Sequence, residues 1–265
     1  MKIVIFVSLL CGLFVPYAFS QNTEHGHFVK RIEYNFQSQI YLKNNLNSKG
    51  NIEKLFFGDF NALVEFSYLP SNESAFEEPP SGFRTIIDTS STSYILEIKY
   101  ISNYAEAERE AEREAKEEQN RLLINLPVEV LNSLPRDIFN QIWDYNRSIS
   151  NRGSYLKRYF EELPKHFKVE ILSFPISDQF AEKLYEKMVS LIDSFRAKGI
   201  PPTIIDGYST TFRTVVDDEV WSLNIHMPQG NALKIADLCR QIITDACAGK
   251  LDEKKYIAIL NTFED

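Results

Sequence analysis

Apolar and polar residues alternate along Asn61-Ala-Leu-Val-Glu-Phe-Ser-Tyr-Leu69, the period of two that a half-buried strand requires. A polar loop follows from Pro70 to Gly82. Phe83 to Asp88 and Tyr94 to Ile101 then flank Thr89-Ser-Ser-Thr92, which predicts a hairpin with a short polar connection. From Tyr104 to Leu123 the pattern changes to strong helix formers with charge pairs four apart, such as Glu112/Lys116 and Glu117/Arg121. That helix has no wide apolar stripe, so it reads as a solvated bridge between two parts of the fold, with a partner-binding arm as the functional alternative. Two shorter amphipathic helices follow, one carrying Ile138, Phe139, Ile142 and Trp143, the other Tyr155, Leu156, Tyr159, Phe160 and Leu163. Leu126-Pro127 and Leu134-Pro135 mark boundaries around them, and Pro164 ends the second.

The last hundred residues carry the clearest periodicity. Val169 to Phe174 is a short strand, and Ser177 or Asp178 caps a helix whose stripe runs from Phe180 to Phe195, stopped by Gly199-Ile-Pro-Pro202. Strands Tyr208 to Val216 and Glu219 to Met227 join at Asp217-Asp218. Asn231 is the expected cap of a helix with stripe Ala232 to Cys247, stopped by Gly249, and a last short helix runs from Asp252 to Leu260. Strand, helix, hairpin, helix is the order of an α+β fold: antiparallel hairpins with amphipathic helices on one face, plus one solvent-exposed charged helix. The chain divides into residues 1–20, a β-rich region 21–102, a helical region 103–167 and an α+β region 168–265.

Residues 1–20 read as a signal peptide. Lys2 precedes an apolar run from Ile3 to Val15, and Ala18-Phe19-Ser20 places small residues for cleavage between Ser20 and Gln21. The run is shorter than the ~20 residues of a transmembrane helix, and no later stretch qualifies. The expectation is export to the periplasm or the medium. Cleavage leaves 245 of the 265 residues, moves the net charge from −8 to −9, and leaves Cys239 and Cys247 of the three cysteines. Eight residues apart on one helix, these two are about 12 Å distant, beyond disulfide reach, so no disulfide is expected and both read as buried thiols. The acidic balance argues against nucleic acid as a partner. The aromatic content, 13%, supports a substantial core.

The chemistry is sparse. Asp88 followed by Glu97-Ile98-Lys99 matches, in order, the two carboxylates and lysine of metal-dependent nucleases, although alternation along a solvent-facing strand yields the same residues. If Asp217-Asp218 is a two-residue turn, Thr214, Phe212 and Thr210 face Trp221, Leu223 and Ile225 on the core side. Arg213, Thr211 and Ser209 then face Ser222, Asn224 and His226 on the other. Arg213, Asn224 and His226 are candidates for holding an anionic or hydroxylated ligand, against an ordinary wet sheet face. His25 and His27 form H-x-H beside Glu24 near the new N-terminus, and His166 has no evident partner. Ser154-Tyr-Leu-Lys157 fits S-x-x-K without its companions S-D-N and K-T-G, a chance match. Asn72 and Asn146 head glycosylation sequons. No metal set or cofactor motif is complete, and none is expected. The favoured reading is an exported, non-catalytic binding module whose partner is a protein or small ligand outside the cytoplasm. The alternatives are a metal-dependent phosphodiesterase using Asp88, Glu97 and Lys99, and a component of a cell-envelope assembly, which would expose a large apolar patch.

Overall fold

A computed structural model describes residues 52–57, 62–70, 78–88, 93–195, 207–216 and 219–263. The Ser20/Gln21 cleavage site, His25, His27, Asn72, the 89–92 connection, the 199–202 helix stop and the 217–218 turn lie outside the described residues. The elements are α1 (Ile52–Phe57), β1 (Val64–Pro70), β2 (Ser81–Ile87), β3 (Tyr94–Ile101), α2 (Tyr104–Leu122), α3 (Val128–Ser133), α4 (Arg136–Ser150) and α5 (Arg152–Glu162). A 3-10 turn (Leu163–His166) leads to β4 (Val169–Ile176), α6 (Asp178–Ser194), β5 (Tyr208–Val216), β6 (Glu219–His226), α7 (Gly230–Cys247) and α8 (Glu253–Leu260). Among the described residues the strands form one sheet in the order β4-β3-β2-β1-β5-β6, antiparallel at every step. The fold is α+β, and the regions 21–102 and 168–265 share this single sheet, the first giving β1–β3 and the second β4–β6.

Period-two alternation fixes the register. One row across all six strands reads Leu172, Ile98, Phe83, Phe66, Phe212 and Leu223, and all but Leu172 are sealed from solvent. The Phe66 ring lies 5.7 Å from that of Phe83 and 5.4 Å from that of Phe212. The row one residue back, on the opposite face, reads Ser173, Glu97, Arg84, Glu65, Arg213 and Ser222. A one-residue slip of any strand would exchange these two sets.

Helices α6, α7 and α8 cover the apolar face through the expected stripes. Ser177 caps α6, accepting from the Phe180 N–H. Helix α7 starts one residue before its expected cap: Gly230, at φ 59°, enters the helix, so Asn231 sits inside the first turn and Gln229 takes the cap position without a side-chain bond. Its end is a Schellman motif, with Gly249 at φ 68° donating to Ala246 and Lys250 donating to Asp245. Cys239 is buried, and burial pushes its thiol well up. Cys247, in contrast to the sequence expectation, is exposed, because the last helical turn extends past the sheet-facing stripe. On the opposite face α1 packs Phe56 and Phe57 against Ile101 and Tyr104. Gly82 is required beneath it, since a Cβ there would fall 2.6 Å from the Phe66 carbonyl and 3.2 Å from the Phe57 ring.

The helical region is inserted between adjacent strands. β3 and β4 pair along their whole length from Tyr94↔Ile176 to Ile101↔Val169, and the chain between them leaves as α2 and returns as α5. Helix α2 is not wholly solvated, as its charge content suggested. Ala107, Ala111 and Ala115, four apart, are completely buried against Tyr159 and Leu163. Alanine is small enough to bring two helices close without forming a wide apolar stripe.

Asp245 joins α7 to α8, accepting from the Tyr256 hydroxyl, from Lys255 at 2.9 Å and from Gln241 at 2.7 Å. These donors, Tyr256 first, hold its carboxyl down to about 2. An unfolded aspartate titrates near 3.9. The stabilisation is therefore present above about pH 4 and is lost as pH falls towards 2. Asp245→Asn is expected to flatten the acid limb of the urea midpoint over that window, and a limb identical to that of the parent would contradict this.

Candidate functional site

The polar face of the sheet holds both sets of site residues proposed from sequence. Glu97 lies opposite Arg84, with Nε–Oε1 at 2.8 Å, and beside Lys99 at 3.2 Å. Lys99 also donates to the Phe56 carbonyl, and both cations sit 5.6 Å from the centroid of the Phe57 ring. Asp88 follows β2 four residues beyond Arg84, about 13 Å along the strand from the Glu97 row. A shared divalent ion requires carboxylate oxygens within about 2.6 Å of one point. The hairpin thus brings Glu97 and Lys99 together and leaves Asp88 apart.

Arg213, Asn224 and His226 occupy the register expected of them. Arg213 Nε reaches Glu65 Oε1 at 3.1 Å, Asn224 donates to Thr211 at 2.8 Å, and His226 Nδ1 lies 3.2 Å from the Ser209 hydroxyl. Each is half-buried and matched to a residue on a neighbouring strand, so the row is first a set of cross-strand ties. Glu65 decides its energetics. That carboxylate is only 1% exposed, and a charge so placed needs its cation.

The arm presents a different surface. At its root Asn103 donates to the His166 carbonyl at 2.9 Å and accepts from Lys168 N–H at 2.7 Å, while Tyr104 stacks on Phe167 at 5.8 Å. Midway, the Tyr159 hydroxyl donates to Glu108 at 3.0 Å, and burial, then that carboxylate, pushes the phenol well above its usual range. At the far end Asn146 binds both the N–H and the carbonyl of Ile124, at 2.9 and 3.0 Å, so this sequon side chain already serves as a clasp. Asn151 caps α5 by accepting from the Ser154 N–H, the Ser154 hydroxyl donates to the Ser148 carbonyl, and Lys157 points to Glu161, so the two polar members of S-x-x-K are engaged separately and not with each other.

Beyond that clasp no residue of α3 or α4 is buried. The expected apolar face of α4 is split. Ile142 turns halfway inward, whereas Phe139 and Trp143 stack on each other in the open with ring centroids 6.5 Å apart. Seven of the nine exposed large hydrophobic residues described lie between Ile124 and Tyr145, with Val128 66% and Trp143 61% exposed. Trp221, expected like Trp143 to sit in an apolar stripe, does pack at the core margin.

No protein-family model, curated protein or solved structure matches the chain. Its own geometry therefore carries the functional argument.

Two further clusters escaped sequence reasoning. Arg240 lies 4.7 Å from the Tyr68 ring centroid and 5.2 Å from that of Tyr208, and forks onto Glu78, which also accepts from the Tyr68 hydroxyl. This clamp fastens α7 to β1, β5 and the segment before β2. No local pattern announces it, because its members are up to 162 residues apart. The other cluster joins Glu114 to His166 at 3.2 Å, the partner that His166 lacked in the sequence. The spacing Glu162 to His166, one helical turn, was its only visible trace.

Arg213 is one of the two arginines that flank the buried Glu65 carboxylate. Arg213→Ala should cost about 3 kcal/mol in urea unfolding, and adding Glu65→Gln should return part of it. A loss below 0.5 kcal/mol, the usual range of surface changes, would contradict the role given to the pair.

Proposed function

We propose that the chain is an exported, non-catalytic interaction module that docks a protein partner through the outer end of the helical arm. One observation carries this reading: the exposed apolar side chains concentrate between Ile124 and Tyr145, led by Trp143 and Phe139 on α4. Scattered surface hydrophobes are ordinary, but a cluster held on neighbouring helices suits an apolar groove on another protein, and tryptophan is enriched among the anchors of such contacts. The export half rests on the order of charge, apolar run and small residues in positions 1–20. In keeping with it, no described helix is long and apolar enough to cross a membrane. A self-assembling envelope component would use the same patch. It differs in that the partner would be a second copy of this chain.

A photoreactive residue at position 143, introduced in the producing cell, should give one discrete adduct with a different protein. The same probe at Glu186, exposed on α6, should give none. The mature chain in that adduct should begin at Gln21. Trp143→Ala with Phe139→Ala should cut capture tenfold or more while shifting stability by no more than about 0.5 kcal/mol, since neither ring is buried. Equal adducts from both positions, or undiminished capture by the double variant, would overturn the reading. A self-adduct would select the assembly alternative, and a retained Met1 would contradict export.

A further inference from the structure

We propose that Glu114, Glu162 and His166 form a three-ligand site for a divalent transition ion of the zinc class. One donor atom from each lies within 4.8 Å of the other two, and all three side chains are half-buried. The ligands come from both limbs of the arm. Glu162 ends α5 and His166 ends the 3-10 turn, one helical turn apart and so on one side, while Glu114 reaches across from α2. The backbone under them is fixed independently by the alanine seam against Tyr159 and Leu163 and by the bond from Asn103 to the His166 carbonyl.

The geometry suits a small ion. Ligand atoms placed 2.0–2.1 Å from a tetrahedral centre stand about 3.4 Å from one another. His166 Nε2 and Glu114 Oε2 are already 3.2 Å apart, and the remaining separations are no more than 4.8 Å. An imidazole nitrogen beside two carboxylates favours Zn²⁺ over Mg²⁺ or Ca²⁺, which take oxygen donors in greater number. Two carboxylates neutralise the dication, and the fourth position is left to water. The ion must displace Lys165 from Glu162 and compete with Arg113, 3.4 Å from Glu114. Lys165 is 61% exposed and can swing into solvent, and exposed pairs of this kind hold weakly. Bound there, the ion would staple the outgoing helix of the arm to its returning limb just before β4.

The test is Zn²⁺ added to the reduced mature chain. Titration calorimetry should give one ion at this site, and the melting temperature should rise by about 5–10 °C at a hundredfold excess over the dissociation constant. Millimolar Mg²⁺ should produce no rise. Glu114→Gln, Glu162→Gln and His166→Asn should each abolish the zinc response. The two glutamine variants preserve side-chain shape, so they remain informative if His166→Asn fails to fold. His25→Asn with His27→Asn, removing the N-terminal H-x-H, should leave the response intact. The proposal is overturned by no response in the parent, by a response that survives both glutamine variants, by one abolished with His25 and His27, or by an equal response to Mg²⁺.

Discussion

On the central strand β1, Phe66 packs between Phe83 and Phe212, while the neighbouring Glu65 lies between Arg84 and Arg213 on the opposite face. These adjacent positions set the whole sheet. A phenylalanine in such a core is worth about 3–5 kcal/mol, and an unpaired buried carboxylate costs several. A shift by one residue would lose the first and incur the second at once. Because β1 pairs with β2 on one side and β5 on the other, it transmits this register from the β2–β3–β4 meander to the C-terminal hairpin. Every later feature inherits its position from that choice.

The arm is one such feature. It can leave the sheet because β3 and β4 are paired along eight residue positions, so its two ends emerge side by side. Alanine spacing then zips α2 to α5, and the Asn103 and Tyr104 contacts tie the root. Most charges along α2 are answered within the helix, as in Arg113 with Glu110 and Glu117 and Lys116 with Glu112. Such pairs keep an extended helix in water at little energetic gain. The apolar residues at the outer end lie beyond the sheet's reach, which is why they remain available.

Short-range pattern was readable wherever one face of an element meets the core. The β3 limits follow from alternation, the β5–β6 pairing from alternation together with a two-residue turn at Asp217-Asp218, and the α6 and α7 stripes from helical period. What could not be read depends on distance along the chain. The docking of β5 against β1 joins Val64 to Thr214 with 149 residues between them, and the Arg240 clamp reaches as far. The alanine seam was missed because burial without bulk leaves no stripe. At the candidate sites, the facing of Arg213, Asn224 and His226 was legible, but their engagement with Glu65, Thr211 and Ser209 was only partly so, since Glu65 belongs to a distant strand. Asp88 and Glu97 looked paired because they are close in sequence, yet the hairpin geometry sets them about four residue rows apart.

Native-state hydrogen exchange on residues 21–265 tests most directly the claim that a register-locked sheet carries the arm as a separately opening unit. Amides of Phe66, Phe83 and Phe212 should exchange last, at the free energy of global unfolding, while those of α3 and α4 exchange by local opening at clearly lower cost. Amides of α4 as protected as those of β1, or a β1 that opens before the arm, would contradict it.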